Sequence, residues 1–333
     1  MNPRERFNAV MNGEKPDRLP MIEWAAWWWD RTIERWIDEG MPRYHGRHLE
    51  QSLEYFGLDE MHCPRAAPHL PWAKSHGSGV IENEHDYYKL VKEYDSYSDA
   101  HIEHFITDVK RYKERHDNGE IIMRIWLDGF FWYPRRLFGI EPHFFAFYDY
   151  PELMNRINND LADFNMRALR ALFDVMKPEF IGYGEDMSYN HGPMLSHELF
   201  EEFIAPYYKP LTKFTRENGV KTLIDTDGDV TDMIPWLIDC GADGIYPLER
   251  QANVDVAQIR ADYPELIMLG AYDKTVMHRG EAAIRAEFER LLPVMRTGRF
   301  IPSVDHQTPP EVSLEDYKIY LKVFREYCLK AVE

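Results

Sequence analysis

From about residue 120 onward, short runs of β-branched and aromatic residues alternate with longer stretches whose apolar positions recur at helical spacing. That alternation predicts strand–helix units laid around a parallel sheet. The predicted strands are Ile121–Trp126, Phe180–Gly184, Lys221–Ile224, Gly244–Pro247, Leu266–Gly270 and Phe300–Ser303, each leading into a polar turn and then a helix. Among the helices, Pro151–Met176 keeps its apolar residues on one face, and Ser196–Asn218 opens on Ser-His-Glu-Leu, with Ser196 as the N-cap. Val254–Tyr263 and Ala282–Arg296 supply two more covering helices. Upstream, a helix over Arg4–Asn12 precedes a first strand, Leu19–Trp24, and Leu58–His62 is a weaker second. Gly77–Tyr94 alternates in polarity and reads as an inserted hairpin. Eight strands of this kind define the expected fold: an α/β chain forming a (β/α)8 TIM barrel with an N-terminal helical extension and an inserted hairpin. No low-complexity linker or solenoid-length repeat interrupts residues 1–333, so one domain is expected.

Composition narrows the partners. A hydrophobic content of 44% suffices for a substantial core, and 57 acidic against 39 basic residues give a formal charge of −18. Such a charge repels phosphate backbones and anionic membranes, which excludes nucleic acid as an expected partner. No run approaches the roughly 18 apolar residues of a membrane span. The charged start, Met1-Asn2-Pro3-Arg4-Glu5-Arg6, is followed by no apolar stretch of the signal-peptide kind. Cys63, Cys240 and Cys328 are odd in number and share no metal-type spacing, as in a reduced cytoplasm, so a cytoplasmic location without disulfides or thiolate zinc is expected.

A closed barrel collects its chemistry at the carboxyl ends of the strands, where the following loops converge. There the sequence places Glu23 and Trp24, Asp128, Glu185 and Asp186, Asp225 and Asp227, Glu249, Asp273, and Asp305 with His306. Asp225 and Asp227 suit metal ligation or proton transfer; as the turn Asp-Thr-Asp-Gly-Asp they equally suit capping of the next helix. His306 can bind metal or exchange a proton near neutral pH, or can simply bond to backbone in its loop. Glu249 and Glu185 directly follow predicted strands, whereas Asp273 has Lys274 beside it as a ready ion-pair partner. Trp24, Trp27, Trp28 and Trp29, with Phe130, Phe131, Trp132 and Tyr133, are either core or the walls of an aromatic pocket.

Several segments together resemble the uroporphyrinogen decarboxylase-like superfamily, which includes corrinoid-dependent methyltransferases. They are Asn2-Pro3-Arg4-Glu5-Arg6-Phe7, Gly184-Glu185-Asp186-Met187, His197 to Phe203 with Pro206-Tyr207, Asp225-Thr226-Asp227-Gly228-Asp229, Gly241-Ala242-Asp243-Gly244, Gly270-Ala271-Tyr272-Asp273-Lys274 and Pro302 to Pro310. The resemblance runs nearly end to end and implies the barrel. Where the decarboxylases carry an arginine-rich segment for substrate carboxylates, this chain has Glu23-Trp24-Ala25-Ala26-Trp27-Trp28-Trp29, and the second strand runs into Met61-His62-Cys63-Pro64-Arg65. Where the thiol-feeding methyltransferases carry a His-x-Cys zinc pair, it has Asp225-x-Asp227, and no cysteine ends the last strand. Oxygen donors still accept zinc, a hard cation, or no metal.

The function this implies is methyl transfer from a small methylated compound, such as a methoxylated aromatic, to a corrinoid protein. Asp225, Asp227, His306 and Glu185 are the expected catalytic groups, and Trp24, Trp27, Asp128, Trp132 and Asp273 the expected substrate contacts. Asp225, Asp227, Glu249 and His306 are the expected zinc ligands, the corrinoid is expected on a partner protein, and the superfamily suggests a homodimer. Two alternatives stay open: a decarboxylase, which needs cations such as Arg124, Arg135, Arg136 or Arg250 aimed into the barrel, and a non-catalytic partner-binding barrel.

Overall fold

The computed structural model describes residues 1–333, the side chain of Arg47 excepted. Its strands are β1 (Met61–His62), β2 (Arg65–Ala66), β3 (Ile122–Asp128), β4 (Phe180–Gly184), β5 (Ser188–Tyr189), β6 (Gly192–Pro193), β7 (Lys221–Asp225), β8 (Gly244–Tyr246), β9 (Ile267–Tyr272) and β10 (Phe300–Val304). β5 and β6 form a small antiparallel hairpin; the others run parallel in the order β1-β3-β4-β7-β8-β9-β10, with β2 a second short pairing along β3. The result is a curled parallel half-barrel of seven strand positions, flanked by helices. Every residue of β4, β9 and β10 is buried, as expected when helices cover a parallel sheet.

The sheet does not close into the expected eight-stranded barrel. Leu19–Trp24 forms no ladder with either neighbour, although it fills the eighth place. Asp59 donates its backbone N–H to Met21 on one side, and on the other the Trp24 amide reaches the Ser303 hydroxyl at 3.2 Å. Pro20 has no N–H to donate, which weakens any ladder there. The Trp24 indole N–H donates to the Val304 carbonyl at 2.6 Å, so side chains close what the backbone leaves open.

Two further expectations are corrected. The inserted hairpin is absent; Glu84–Tyr94 is a helix capped by Asn83, with Tyr87 and Leu90 buried three residues apart. Ser196–Asn218 is two helices, His197–Phe203 and Ala205–Glu217, because Pro206 supplies no N–H for continuation and starts the second helix instead. Ser196 does cap the first, accepting from the Leu199 amide. The N-terminal helix is present over Pro3–Met11. Among the described residues no helix is long and apolar enough to cross a membrane.

Register fixes what the sheet presents. Pairing of Trp126 with Gly182, Gly184 with Asp225, and Asp225 with Tyr246 puts Arg124, Trp126, Asp225 and Tyr246 on one face, since alternate strand residues share a side. That face is the concave one: a side chain at Gly182 would collide with the Tyr246 hydroxyl, and one at Gly184 with the Trp126 ring.

Candidate active site

Three loops at the carboxyl ends of the strands are fastened together. Ser188 and Thr226 share a hydroxyl hydrogen bond of 2.9 Å, Ser188 also donates to the Asp227 carbonyl, and the Gly228 amide donates to Glu249 at 2.9 Å. Gly228 is needed at this junction: its φ is +84°, and a Cβ would lie 2.6 Å from the Tyr189 backbone. The loops following β4, β7 and β8 therefore hold Asp186, Asp227 and Glu249 toward one another.

Asp225 lies at the centre. Its carboxyl is buried, and burial, reinforced by the nearby carboxylates of Asp227 and Asp186, drives its pKa well above the ordinary range; Arg124 opposes the shift. Asp186, at a φ of +44°, is likewise pushed up to about 6 by burial and by Asp227. His306 faces Asp227, with Nε2 3.6 Å from Oδ2. Burial alone lowers an imidazole's pKa, but the Asp227 carboxylate more than offsets it, and the His306 value is raised. The mouth thus offers a buried acid that holds its proton more tightly than usual, beside an imidazole–carboxylate pair at the solvent edge.

Aromatic rings wall the inner side. Trp24 meets Tyr246, Trp27 and His306 edge-on at centroid distances of 5.4, 6.0 and 6.4 Å. Arg124 projects from β3 into this group, 5.5 Å from the Trp24 and Tyr246 rings and 5.2 Å from that of Trp27. The Cys63 thiol is beside it, its pKa raised by burial and partly restored by Arg124.

The remaining strand-end residues are turned to other partners. Glu185 is fully enclosed: its carboxylate accepts the backbone amides of Phe130, Phe131 and Trp132 and the Tyr208 hydroxyl. Burial pushes its pKa up to about 7 against those donors. Asp128 is clasped by Arg65 at 2.5 Å and Arg136 at 2.8 Å. Asp273 caps its own turn through the Thr275 amide and hydroxyl. Asp305 is held by Lys274 at 3.1 Å. Trp132 stacks under Arg135 and lines a separate rim cavity of about 310 Å³ with Trp72 and Arg136.

The expected zinc set is not gathered. Glu249 is engaged by the Gly228 amide and lies 3.8 Å from Lys274, and no three of Asp225, Asp227, Glu249 and His306 bring donor atoms within 4.8 Å of one another among the described residues. Those donors do not fit a zinc ion as placed. The grouping that meets this distance is Glu50, Glu60 and His62, whose donor atoms can coordinate a metal ion. It lies by β1, where His62 pairs with Met123 near the start of β3, away from the mouth.

Sequence reasoning left out Tyr246, gave Cys63 and the strand-end Asp186 no role in the site, and named Arg124 only as a cation of the decarboxylase alternative. Arg124 and Tyr246 needed the register, because a position inside a strand does not reveal which face it occupies.

The fold and this site define an α/β enzyme-type half-barrel with acid–base groups at its mouth. A family model for uroporphyrinogen decarboxylase (URO-D) matches residues 138–327, more than half of the chain, and the chain belongs to that family. No curated protein sequence matches it. Among solved structures, a methyltransferase from Methanosarcina mazei is similar at a TM-score of 0.63 and 14% identity, covering 98% of this chain and 99% of its own. A protein described as a vitamin-B12 independent methionine synthase from Listeria monocytogenes follows at 0.50 and 12%, covering 96% and 97%. At these identities the likeness is one of fold.

Proposed function

We propose that the chain is a methyltransferase that takes a methyl group from a small methylated compound, of the methoxylated aromatic kind, and delivers it to a corrinoid held by a separate protein. The observation that carries this reading is Asp225, a buried acid kept neutral beneath an aromatic wall and backed by the Asp227–His306 pair. The methyltransferase fold of similar length supports it, as does the aromatic segment around Trp24 in place of an arginine-rich one.

A reduced corrinoid supplies the nucleophile for the methyl carbon. The protein's task is then the leaving group. As the carbon–oxygen bond breaks with its electron pair on oxygen, Asp225 gives its proton to the departing phenolate or alkoxide, and solvent restores that proton through His306 and Asp227. Trp24, Trp27 and Tyr246 position the ring and keep water away. Glu185, Asp128 and Asp273 act by holding the loops in place.

The test is loss of the cob(I)alamin absorbance on mixing protein, cob(I)alamin and methoxylated aromatics. Methylation is expected with the wild type, and Asp225→Asn is expected to slow it by about 10²–10⁴-fold, the usual worth of general acid catalysis. Inward-facing Arg124 favours a second reading, decarboxylation, in which a carbon–carbon bond breaks, CO2 leaves and Asp225 protonates the carbanion. Release of CO2 without methyl transfer from carboxylated aromatics would establish that reading instead.

A further inference from the structure

We infer that the compound held in the mouth carries a carboxylate and that Arg124 receives it. This deepens the preceding reading and rests on it for the location of the site, but not for the reaction. Among the described residues the buried arginines are Arg6, Arg124 and Arg260. Arg6 is answered by the Asp17 carboxylate and the Met1 carbonyl. Arg260 is answered by the carbonyls of Tyr263, Pro264, Leu266, Gly298 and Arg299. Arg124 donates from Nη2 to the Trp24 carbonyl at 2.9 Å and has the Cys63 thiol and the Tyr246 hydroxyl against its guanidinium, while Nε and Nη1 find no well-aligned acceptor among the described residues.

A guanidinium carries five N–H donors and does not shed its proton. Burying it with most donors unanswered and no ion pair is strongly unfavourable unless something else completes the shell. Arg124 is only 1% exposed. The Tyr246 hydroxyl beside it and the Trp126 indole N–H two residues along the same strand face also have no acceptor for their protons, and they lie over Gly182 and Gly184, where the sheet bears no side chain. Unanswered donors between aromatic faces call for a flat acceptor, and the planar guanidinium fork matches a carboxylate. Asp227 and Glu249 at the mouth disfavour a doubly charged phosphate relative to a monoanion. The ligand class is therefore an aromatic monocarboxylate, its acid group on Arg124 and its reacting group toward Asp225.

Calorimetric titration of the whole protein, without corrinoid, with 4-methoxybenzoate, 4-methoxybenzamide and phenyl phosphate tests this. The acid is expected to bind about 100-fold more tightly than the amide, as a buried charge-assisted contact implies. In Arg124→Gln that preference is expected to vanish, and Arg124→Lys should keep part of it. Equal affinity for acid and amide, a preference that survives in Arg124→Gln, tighter binding of phenyl phosphate, or no binding of any of the three would each overturn the inference. The acid–amide comparison uses only wild-type protein, so it holds even if a variant fails to fold. A protein that prefers the acid yet transfers no methyl group would uphold the carboxylate assignment and overturn the methyl-transfer reading.

Discussion

A carboxylic acid taken out of water must find a cation, find donors, or keep its proton, and this chain uses all three. Asp128 takes two arginines. Glu185 takes three amides and a hydroxyl, and Asp225, crowded by other carboxylates, has its pKa driven well above the ordinary range. Glu23 is the case in which the choice has the plainest consequence for stability. Burial pushes its pKa up to about 7, against hydrogen bonds from the Ser303 and Tyr317 hydroxyls. A folded-state value above the unfolded one means the fold binds this proton more tightly. The contribution is fully present below the unfolded value of 4.5 and is lost as pH rises through 7. Glu23→Gln removes this titration and is expected to flatten the fall in Tm between about pH 5 and about pH 8, an effect on the order of 3 kcal/mol at the alkaline end. Parallel Tm–pH profiles for the two proteins would show that Glu23 does not titrate with folding. The same residues mark how far the site was legible in sequence. The strand-end rule supplied the addresses of Asp225, Asp227, Glu249 and His306, because chain position alone decides which loop a residue joins. It could not supply direction, so Glu185 was expected to be catalytic like Asp225, and Asp128 and Asp273 to touch substrate, before their donors were located. Arg124 entered only as one of four cations that a decarboxylase would aim into the barrel.

Glycine sets how closely the elements approach. Gly129 lies between β3 and the helix Trp132–Phe138, and a Cβ there would occupy the space of the Glu185 carboxylate. The amides of Phe130, Phe131 and Trp132 have no other acceptor of this kind at the helix start, where N–H groups lack intrahelical partners. Gly129→Ala is therefore expected to push Glu185 off its donors and to destabilise the fold by about 2–4 kcal/mol through overpacking and unmet hydrogen bonds. Calorimetry giving an unchanged Tm would mean that the loop rearranges freely and that Glu185 does not organise it. At this scale legibility followed burial. Phe180–Gly184 was read with its observed bounds because a strand buried on both sides has a short, continuous apolar signature. Glu84–Tyr94 was misread because its alternation is incidental: only Tyr87 and Leu90 are buried, and their spacing is helical. The break between Phe203 and Ala205 depended on one proline in an otherwise continuous helical pattern.

Across the molecule, the two ends of the sheet are built differently. Near the strand starts, charges neutralise one another: Glu60 pairs with Arg115 and His62, and Glu179 accepts from Arg4, from His116 and from the Met123 amide. At the mouth Asp128 and Asp305 keep cationic partners, but Asp225 and Asp186 face other carboxylates and the Arg124 guanidinium makes no ion pair within 4 Å among the described residues, the division expected when one end serves stability and the other also chemistry. The opening at Leu19–Trp24 lies between these regimes and joins the site to the closure of the fold. Its backbone hydrogen bonds are few and scattered among several partners: the Leu19 amide reaches the Cys328 carbonyl, Met21 exchanges bonds with Asp59, the Trp24 amide and indole reach β10, and the Trp24 carbonyl accepts from Arg124. A segment held by a few hydrogen bonds opens locally more often than a laddered strand, so its amides should exchange sooner than those of β4, β7 and β9. A ligand on Arg124 would order the guanidinium, and with it the Trp24 carbonyl and the Trp24 and Trp27 rings that pack around it. Hydrogen–deuterium exchange followed by mass spectrometry is therefore expected to show fast exchange for peptides covering residues 20–28, and added protection there when 4-methoxybenzoate is present. Protection confined to the rim cavity beside Trp132 would place the ligand elsewhere, and slow exchange of residues 20–28 in the free protein would mean that side chains alone close the barrel as firmly as a ladder.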